Sequence, residues 1–146
     1  MNNNIVSNLN KCLANLCVIF VKLHNLHWNV VGINFKSIHE YLESLYNEIS
    51  ISFDRIAEIL KMHNEIPCAS LNSYISLSTI KEIESIELDG GKVLNIVLHD
   101  FKELKCLCEE IRCQAEKDNL YDIINVMDHE LEVLNKQIWF MNAMLK

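Results

Sequence analysis

The chain has 146 residues, half of them hydrophobic, which is enough for one domain with a sizeable buried core. It contains only one Pro and three Gly, a composition that disfavours all-β and loop-rich folds and favours long helices. The net charge of −7 disfavours nucleic-acid binding and favours a surface that attracts cations. These properties predict one all-α domain over residues 1–146.

Hydrophobic residues recur at spacings of three and four, as they do along amphipathic helices. Four long helices are predicted, at about Ile5 to Val30, Phe35 to His63, about Lys92 to Glu116 and about Tyr121 to Leu145. Asn4 or Ser7 is the expected cap of the first helix. Met62 to Ser78 is a long connection, followed by a short helix from about Ser78 to Ile83 with Ser78 as its cap. The predicted fold is a four-helix bundle whose long crossover joins helices two and three and carries the short extra helix.

The N-terminal sequence MNNNIVSNLNK lacks the basic and apolar regions of a secretory signal. The longest nearly apolar run, Leu13 to Val21, is interrupted by Asn15 and is less than half a membrane span. We therefore expect a cytoplasmic protein that does not enter a membrane.

Six cysteines are present, at Cys12, Cys17, Cys68, Cys106, Cys108 and Cys113. A helical core of this size does not need disulfides, so we expect reduced, mostly buried thiols. Cys108 should point away from Cys106 and Cys113 on the same helix, which disfavours a tetrahedral zinc site.

Two histidines and three carboxylates stand among apolar, helix-periodic residues in the first half of the chain. They are His27, His39, Glu43, Asp54 and Glu58. Imidazole together with carboxylate suits a borderline-to-hard divalent metal. Iron is therefore the first candidate.

The spacing of four of these residues predicts a site shared by two subunits. His39 and Glu43 are one turn apart on helix two, and so are Asp54 and Glu58. Fifteen residues separate His39 from Asp54, which is about 22 Å along a helix and too far for one metal. If two copies of this helix pack antiparallel about a two-fold axis near the helix centre, each pair faces the opposite pair of the other copy. Such an interface creates two equivalent sites per dimer.

His27 is expected to join the site from the end of helix one. The turn VVGIN, with Gly32 at positive φ, folds helix one back beside His39. Trp28 is expected to be a packing anchor at this helix end. His24, one turn before His27, is not expected to be a ligand.

The pattern H-W-N-x-x-G-x-N-F-x-x-x-H-E, followed by D-x-x-A-E, resembles the signature of the Dps family, the ferritin-like miniferritins named as DNA-binding proteins of starved cells. The residues in register are His27, Trp28, Asn29, Gly32, Asn34, Phe35, His39, Glu40, Asp54, Ala57 and Glu58. The similarity continues through SLSTIKE, LHDFKEL and KQIWFMNAML, and so covers nearly the whole chain. Glu43 departs from the family, which usually has Asp there, and its extra methylene moves the carboxylate oxygens.

The resemblance implies a ferritin-like fold and a hollow shell of twelve subunits built from two-fold dimers. It also implies a ferroxidase that oxidises Fe(II) with hydrogen peroxide, or more slowly with dioxygen, and stores Fe(III) mineral inside. All five candidate residues would be catalytic metal ligands. His27 and His39 would hold the tighter iron with Glu58 of the other subunit, while Glu43 and Asp54 would complete the site or bridge to a weaker second position.

Acidic residues near the start of helix four line iron-entry pores in the family. The corresponding residues here are Asp118, Asp122, Asp128, Glu130 and Glu132. Complementation of the helix dipole would explain the same residues.

Two other functions remain open at the level of sequence. Many relatives compact DNA through lysine-rich tails, but the segment MNNN carries no lysine and the first one, Lys11, lies inside helix one. DNA binding is therefore disfavoured. A metal-free helical scaffold is compatible with the helix periodicity alone, although the spacing of the ligands argues against it.

Overall fold

The computed structural model describes residues 1–146 and contains five helices and two very short strands. In chain order these are α1 (Asn3–Asn29), β1 (Val30–Val31), α2 (Phe35–Met62), α3 (Leu71–Leu77), β2 (Leu88–Asp89), α4 (Gly90–Lys117) and α5 (Tyr121–Met144). The long helices α1, α2, α4 and α5 begin and end within two residues of their predicted limits. The predicted all-α architecture, with a crossover that carries a short extra helix, is confirmed.

Helix α1 is the central element of the bundle, because it contacts α2, α3 and α4. Its buried leucines recur at helical spacing, at Leu9, Leu13, Leu16, Leu23 and Leu26. The helix begins earlier than predicted because the side chain of Asn2 accepts a hydrogen bond of 3.0 Å from the backbone N–H of Ile5. The expected caps, Asn4 and Ser7, lie inside the helix.

By length and composition alone, α1 could cross a membrane. However, 61% of its most apolar 18-residue window is buried inside the bundle, and the core helix of a soluble protein passes the same test of length and composition. The apolar character of α1 is therefore explained by its contacts with the other helices.

The short helix of the crossover, α3, lies earlier in the chain than predicted. The hydroxyl of Ser70 caps it by accepting a 3.2 Å hydrogen bond from the N–H of Ser73. Tyr74 anchors the helix in the core, and its hydroxyl donates to the carbonyl of Cys68 at 2.6 Å. The expected cap, Ser78, instead follows the last turn, and its extended backbone ends the helix. Several serines in this segment can act as caps, and the buried Tyr74 decides which one does.

Polar side chains on α1 hold the crossover against the bundle. The contacts are Asn10 with the N–H of Cys68 (2.8 Å), Asn15 with the N–H of Thr79 (2.9 Å), Lys22 with the carbonyl of Lys81 (2.6 Å) and Asn25 with the carbonyl of Glu84 (3.2 Å). These bonds satisfy backbone groups that a segment without regular structure cannot pair by itself.

All six cysteines are free thiols, as predicted, but the expectation that most are buried is wrong. Only Cys12 and Cys108 are buried, and Cys106 and Cys113 are exposed on α4. Cys108 faces the core while Cys106 and Cys113 face outward, so the predicted difference in direction is confirmed.

Candidate metal site

The turn between α1 and α2 is shaped by a short strand pair and by a glycine. Strand β1 pairs in parallel with β2, so that Val30 lies opposite Leu88 and Val31 opposite Asp89. Gly32 then adopts a φ of +114°, which residues other than glycine rarely adopt. This positive φ was predicted from the sequence. This turn brings the last residues of α1 alongside the first turns of α2.

His27 and His39 are locked together across the turn by two reciprocal hydrogen bonds. The Nδ1 of His27 lies 2.6 Å from the carbonyl oxygen of His39, and the Nδ1 of His39 lies 2.7 Å from the carbonyl oxygen of His27. Because a carbonyl can only accept, each Nδ1 must carry the proton. In the neutral rings, both Nε2 atoms therefore keep a free lone pair, the form in which imidazole binds metals.

The two imidazole rings are stacked, with centroids 3.6 Å apart and planes 12° from parallel. An imidazole holds a metal in the plane of its ring. No single ion can lie in both of two nearly parallel planes at this separation. The stack therefore argues against the expectation that His27 and His39 share one iron, and it fits one ion for each ring.

Glu43 is exposed one turn after His39, and it is connected to the histidine pair through Tyr46. The hydroxyl of Tyr46 donates to Oε1 of Glu43 at 3.2 Å, and its ring lies edge-on to His27 with centroids 5.3 Å apart. Burial raises the pKa of Tyr46, and its hydrogen bond to Glu43 raises it further. The hydroxyl is therefore a proton donor at neutral pH. Sequence analysis overlooked Tyr46, although its spacing of three from Glu43 was a usable signal.

Asp54 and Glu58 do not meet the other three candidate residues within one chain. Both are exposed near the far end of α2. The chain contains no group of three His, Cys, Asp or Glu side chains that could hold one metal ion. The structure thus joins His27, His39 and, through Tyr46, Glu43, and leaves two carboxylates facing outward.

Two other aromatic residues of α1, His24 and Trp28, lie near the histidine pair. His24 places its Nδ1 2.7 Å from the carbonyl of Phe20 and stacks on Tyr46, with centroids 3.9 Å apart. Trp28 is 68% exposed, so the expectation that it packs at the helix end is not met within one chain.

The acidic residues near the start of α5 are mostly engaged in contacts within the chain. Asp122 lies 2.8 Å from His63, and Asp128 lies 2.6 Å from Nε of Arg112. Glu130 is buried, where it accepts hydrogen bonds from Ser52 at 2.6 Å and from Arg55 at 3.3 Å. A buried carboxylate that accepts two hydrogen bonds cannot line a pore, so Glu130 is no longer a candidate pore residue. Sequence alone could not separate it from its exposed neighbours.

Comparison with known proteins places this geometry in a family. Residues 6–146 match a family model described as a ferritin-like domain. The DNA protection during starvation protein of Helicobacter pylori strain J99 is 31% identical over 132 residues, which cover 90% of this chain and 92% of that protein.

Solved structures agree with the sequence relatives. Antigen TpF1 from Treponema pallidum superposes with a TM-score of 0.96 at 34% identity, covering 98% of this chain and 92% of that one. A Dps protein from Vibrio cholerae O1, described as a member of a broad superfamily of ferritin-like diiron-carboxylate proteins, gives a TM-score of 0.94 at 25% identity over 98% and 89% of the two chains. The ferritin-like form of the crossover bundle is thereby confirmed. The chain belongs to the Dps family of ferritin-like proteins.

Proposed function

We propose that the protein is an iron-oxidising and iron-storing miniferritin. It binds Fe(II) at sites between two subunits, oxidises it with hydrogen peroxide or with dioxygen, and stores Fe(III) mineral inside a hollow shell of twelve cytoplasmic subunits. Its ligands are His27, His39 and Glu43 of one subunit together with Asp54 and Glu58 of the partner subunit.

The observation that carries this proposal is the locked histidine pair. His27 is buried and His39 is half-buried, and both use only Nδ1 for hydrogen bonds and have no protein partner at Nε2. Fixing Nδ1 on a carbonyl is the usual way in which proteins orient a metal-binding histidine. The rings supply two neutral ligands, and the missing negative charge must come from carboxylates.

The exposed face of α2 offers a surface on which a second copy can supply those carboxylates. Asn47, Ser50 and Ile51 are exposed at the helix centre, between the half-site of His39 and that of Asp54. An apolar groove of about 460 Å³ opens beside Ser50, between α1, α2 and α3. Contiguous exposed apolar surface of this kind marks protein interfaces.

Exposed apolar side chains line this groove at Val21 and Leu71, and others are exposed on the same three helices at Trp28, Ile51 and Ile75. Such residues should be unfavourable on a monomer in water but favourable in a subunit interface. The exposure of Trp28 within one chain is then explained by packing against the partner subunit.

Two histidines that each hold one ion match the electron count of the proposed reaction. Two Fe(II) ions lose one electron each, and these two electrons with two protons reduce one hydrogen peroxide to two water molecules. Ions in two-metal sites usually lie about 3.5–4 Å apart, close enough for one carboxylate to reach both. Glu43 and Asp54 would then contribute to both positions.

The shared site can be tested with His39→Ala and Glu58→Ala, assayed for peroxide-dependent Fe(II) oxidation. Each variant should lose about tenfold or more of its activity at limiting Fe(II), because few strong ligands remain. The variants are then unfolded together and reassembled. Each mixed dimer has one doubly damaged site and one intact site, so an equal mixture should recover about a quarter of the wild-type activity.

Mass spectrometry must show that the reassembled dimers contain both variants. A site formed within one subunit would carry a lesion in every chain, and mixing would restore nothing. Absence of recovery in verified mixed dimers would therefore contradict the inter-subunit site. A wild-type protein that does not oxidise Fe(II) would contradict the proposed function itself.

A further inference from the structure

We propose that Tyr46 is a positioning residue that holds the Glu43 carboxylate in place for metal binding. The inference rests on the proposed function and adds a residue to its site. It addresses the one position at which the ligand set departs from the family, where this chain has Glu43 instead of the usual Asp.

Glutamate at position 43 has a flexibility that aspartate would not have. Its extra methylene adds one rotatable bond, and the exposed side chain has no salt-bridge partner to restrict it. A ligand that samples several rotamers loses entropy when it binds, which weakens its hold on an ion. A longer ligand at this position therefore benefits from a fixed hydrogen-bond donor.

The Tyr46 hydroxyl is such a donor. It lies 3.2 Å from Oε1 of Glu43, three residues away on the same face of α2. A bond to one oxygen leaves Oε2, and the second lone pair of Oε1, available to an ion. The bond therefore orients the carboxylate without blocking it.

Aromatic residues of α1 keep the Tyr46 ring in one place. His24 stacks on it with centroids 3.9 Å apart and planes 23° from parallel, and Phe20 meets it edge-on at 6.2 Å. His24 is itself fixed by its 2.7 Å contact with the carbonyl of Phe20, and the His27 ring stands nearly perpendicular to the Tyr46 ring with centroids 5.3 Å apart. Phe20, His24 and His27 share one face of α1, so this helix supplies one ligand and also sets the position of another.

The test uses Tyr46→Phe, which keeps the ring in its aromatic surroundings and removes only the hydroxyl. Anaerobic Co(II) titration of the assembled protein, followed by visible absorption, reports metal binding without oxidation. We expect the dissociation constant for Co(II) to rise about three- to tenfold, as for loss of a hydrogen bond that supports a ligand. In Fe(II) oxidation, KM should rise by a similar factor while kcat changes little.

Two further variants separate positioning from a general structural effect. In Glu43→Asp the carboxylate is too short to reach the hydroxyl, so adding Tyr46→Phe should change Co(II) binding by less than about twofold. Tyr41→Phe is the matched control, because that hydroxyl donates to Gln137 at 2.7 Å and does not contact Glu43. Tyr41→Phe should leave the dissociation constant unchanged.

Equal Co(II) binding by wild-type protein and Tyr46→Phe would overturn the inference while leaving the proposed function intact. An equal effect of Tyr46→Phe in the Glu43→Asp background would also overturn it, because the hydroxyl would then act independently of Glu43. If the wild-type protein neither binds Co(II) nor oxidises Fe(II), the proposed function and this inference both fall.

Discussion

At the scale of single residues, the buried ion pair between Lys22 and Asp100 should make each partner sensitive to loss of the other. The Nζ of Lys22 lies 2.8 Å from Oδ2 of Asp100, and both side chains are almost fully buried. Lys22 also donates to the carbonyl of Lys81 at 2.6 Å. Burial raises the pKa of Asp100, and the hydrogen bond and charge of Lys22 lower it in part.

We expect Lys22→Met to destabilise the protein by about 3–5 kcal/mol at neutral pH, because it leaves the buried Asp100 carboxylate with only the exposed His99, whose Nδ1 lies 3.7 Å from Oδ1. The free energy of unfolding in urea measures the loss. The double variant Lys22→Met with Asp100→Leu should be less destabilised than the single one, since it removes the unpaired charge. Equal destabilisation would show that the lysine acts through packing alone.

The stability of Lys22→Met should depend on pH in a defined direction. Without Lys22, the pKa of Asp100 in the folded state rises further above its unfolded value. A carboxyl with a raised pKa stabilises the fold at low pH, and that contribution is lost as pH rises through the folded pKa. Relative to wild type, Lys22→Met should therefore recover stability as pH falls below neutrality. A loss of relative stability on acidification would contradict this assignment.

At the scale of elements, the crossover depends on α1 for its position. The buried Oδ1 of Asn15 accepts hydrogen bonds from the N–H of Thr79 and the hydroxyl of Ser78, both at 2.9 Å. The segment that follows leads to β2, which pairs with β1 beside the histidine turn. Asn15 thereby connects the middle of α1 to the element that holds the histidine turn.

We expect Asn15→Leu to cost about 2–3 kcal/mol, because the buried Asn15 amide accepts from the N–H of Thr79 and the hydroxyl of Ser78 and donates to the hydroxyl of Thr79, and all three bonds are lost. Urea unfolding gives the total cost, and amide hydrogen exchange at Thr79 and Ile80 should accelerate. Asn25→Leu is the matched control on the same helix, since its bond to the carbonyl of Glu84 is exposed and solvent can replace it. Similar losses in both variants would argue against a specific role for Asn15.

At the scale of the whole molecule, the proposed division of the ligands between subunits would require assembly. His39 and Asp54 lie near opposite ends of α2, and no group of three possible ligands comes together within one chain. Light scattering at micromolar concentration should give about 200 kDa, as for twelve subunits of 17.0 kDa. A stable species of 17.0 kDa under these conditions would contradict the shared site.

The charge of the molecule also bears on DNA, which the name of the Helicobacter pylori relative mentions. With a net charge of −7 per chain, release of counterions from DNA can contribute little to binding. We therefore expect no retardation of duplex DNA in gels at about 0.15 M salt and neutral pH. Stoichiometric retardation under those conditions would support the competing role in DNA compaction.

Local sequence patterns determined the long helices and the candidate ligands. Helix periodicity depends on residues three and four apart, so α2 could be placed from Phe35 to within one residue of its end. The positive φ at Gly32 was also predictable from local sequence, because a tight turn after a helix requires it. The separation of His39 from Asp54 along one helix is also a local property, and the prediction of a site shared by two chains rests on it.

Only the tertiary structure decided how those residues are arranged. The bonds of His27 and His39 run to backbone carbonyls of another helix, and carbonyls carry no sequence signal. The stacking of Tyr46 on His24 and the burial of Glu130 each depend on residues far away in the chain. The choice of the cap for α3 depends on competition among equivalent serines. Sequence thus determined which chemistry the chain can offer, whereas packing between helices determined how its groups are oriented.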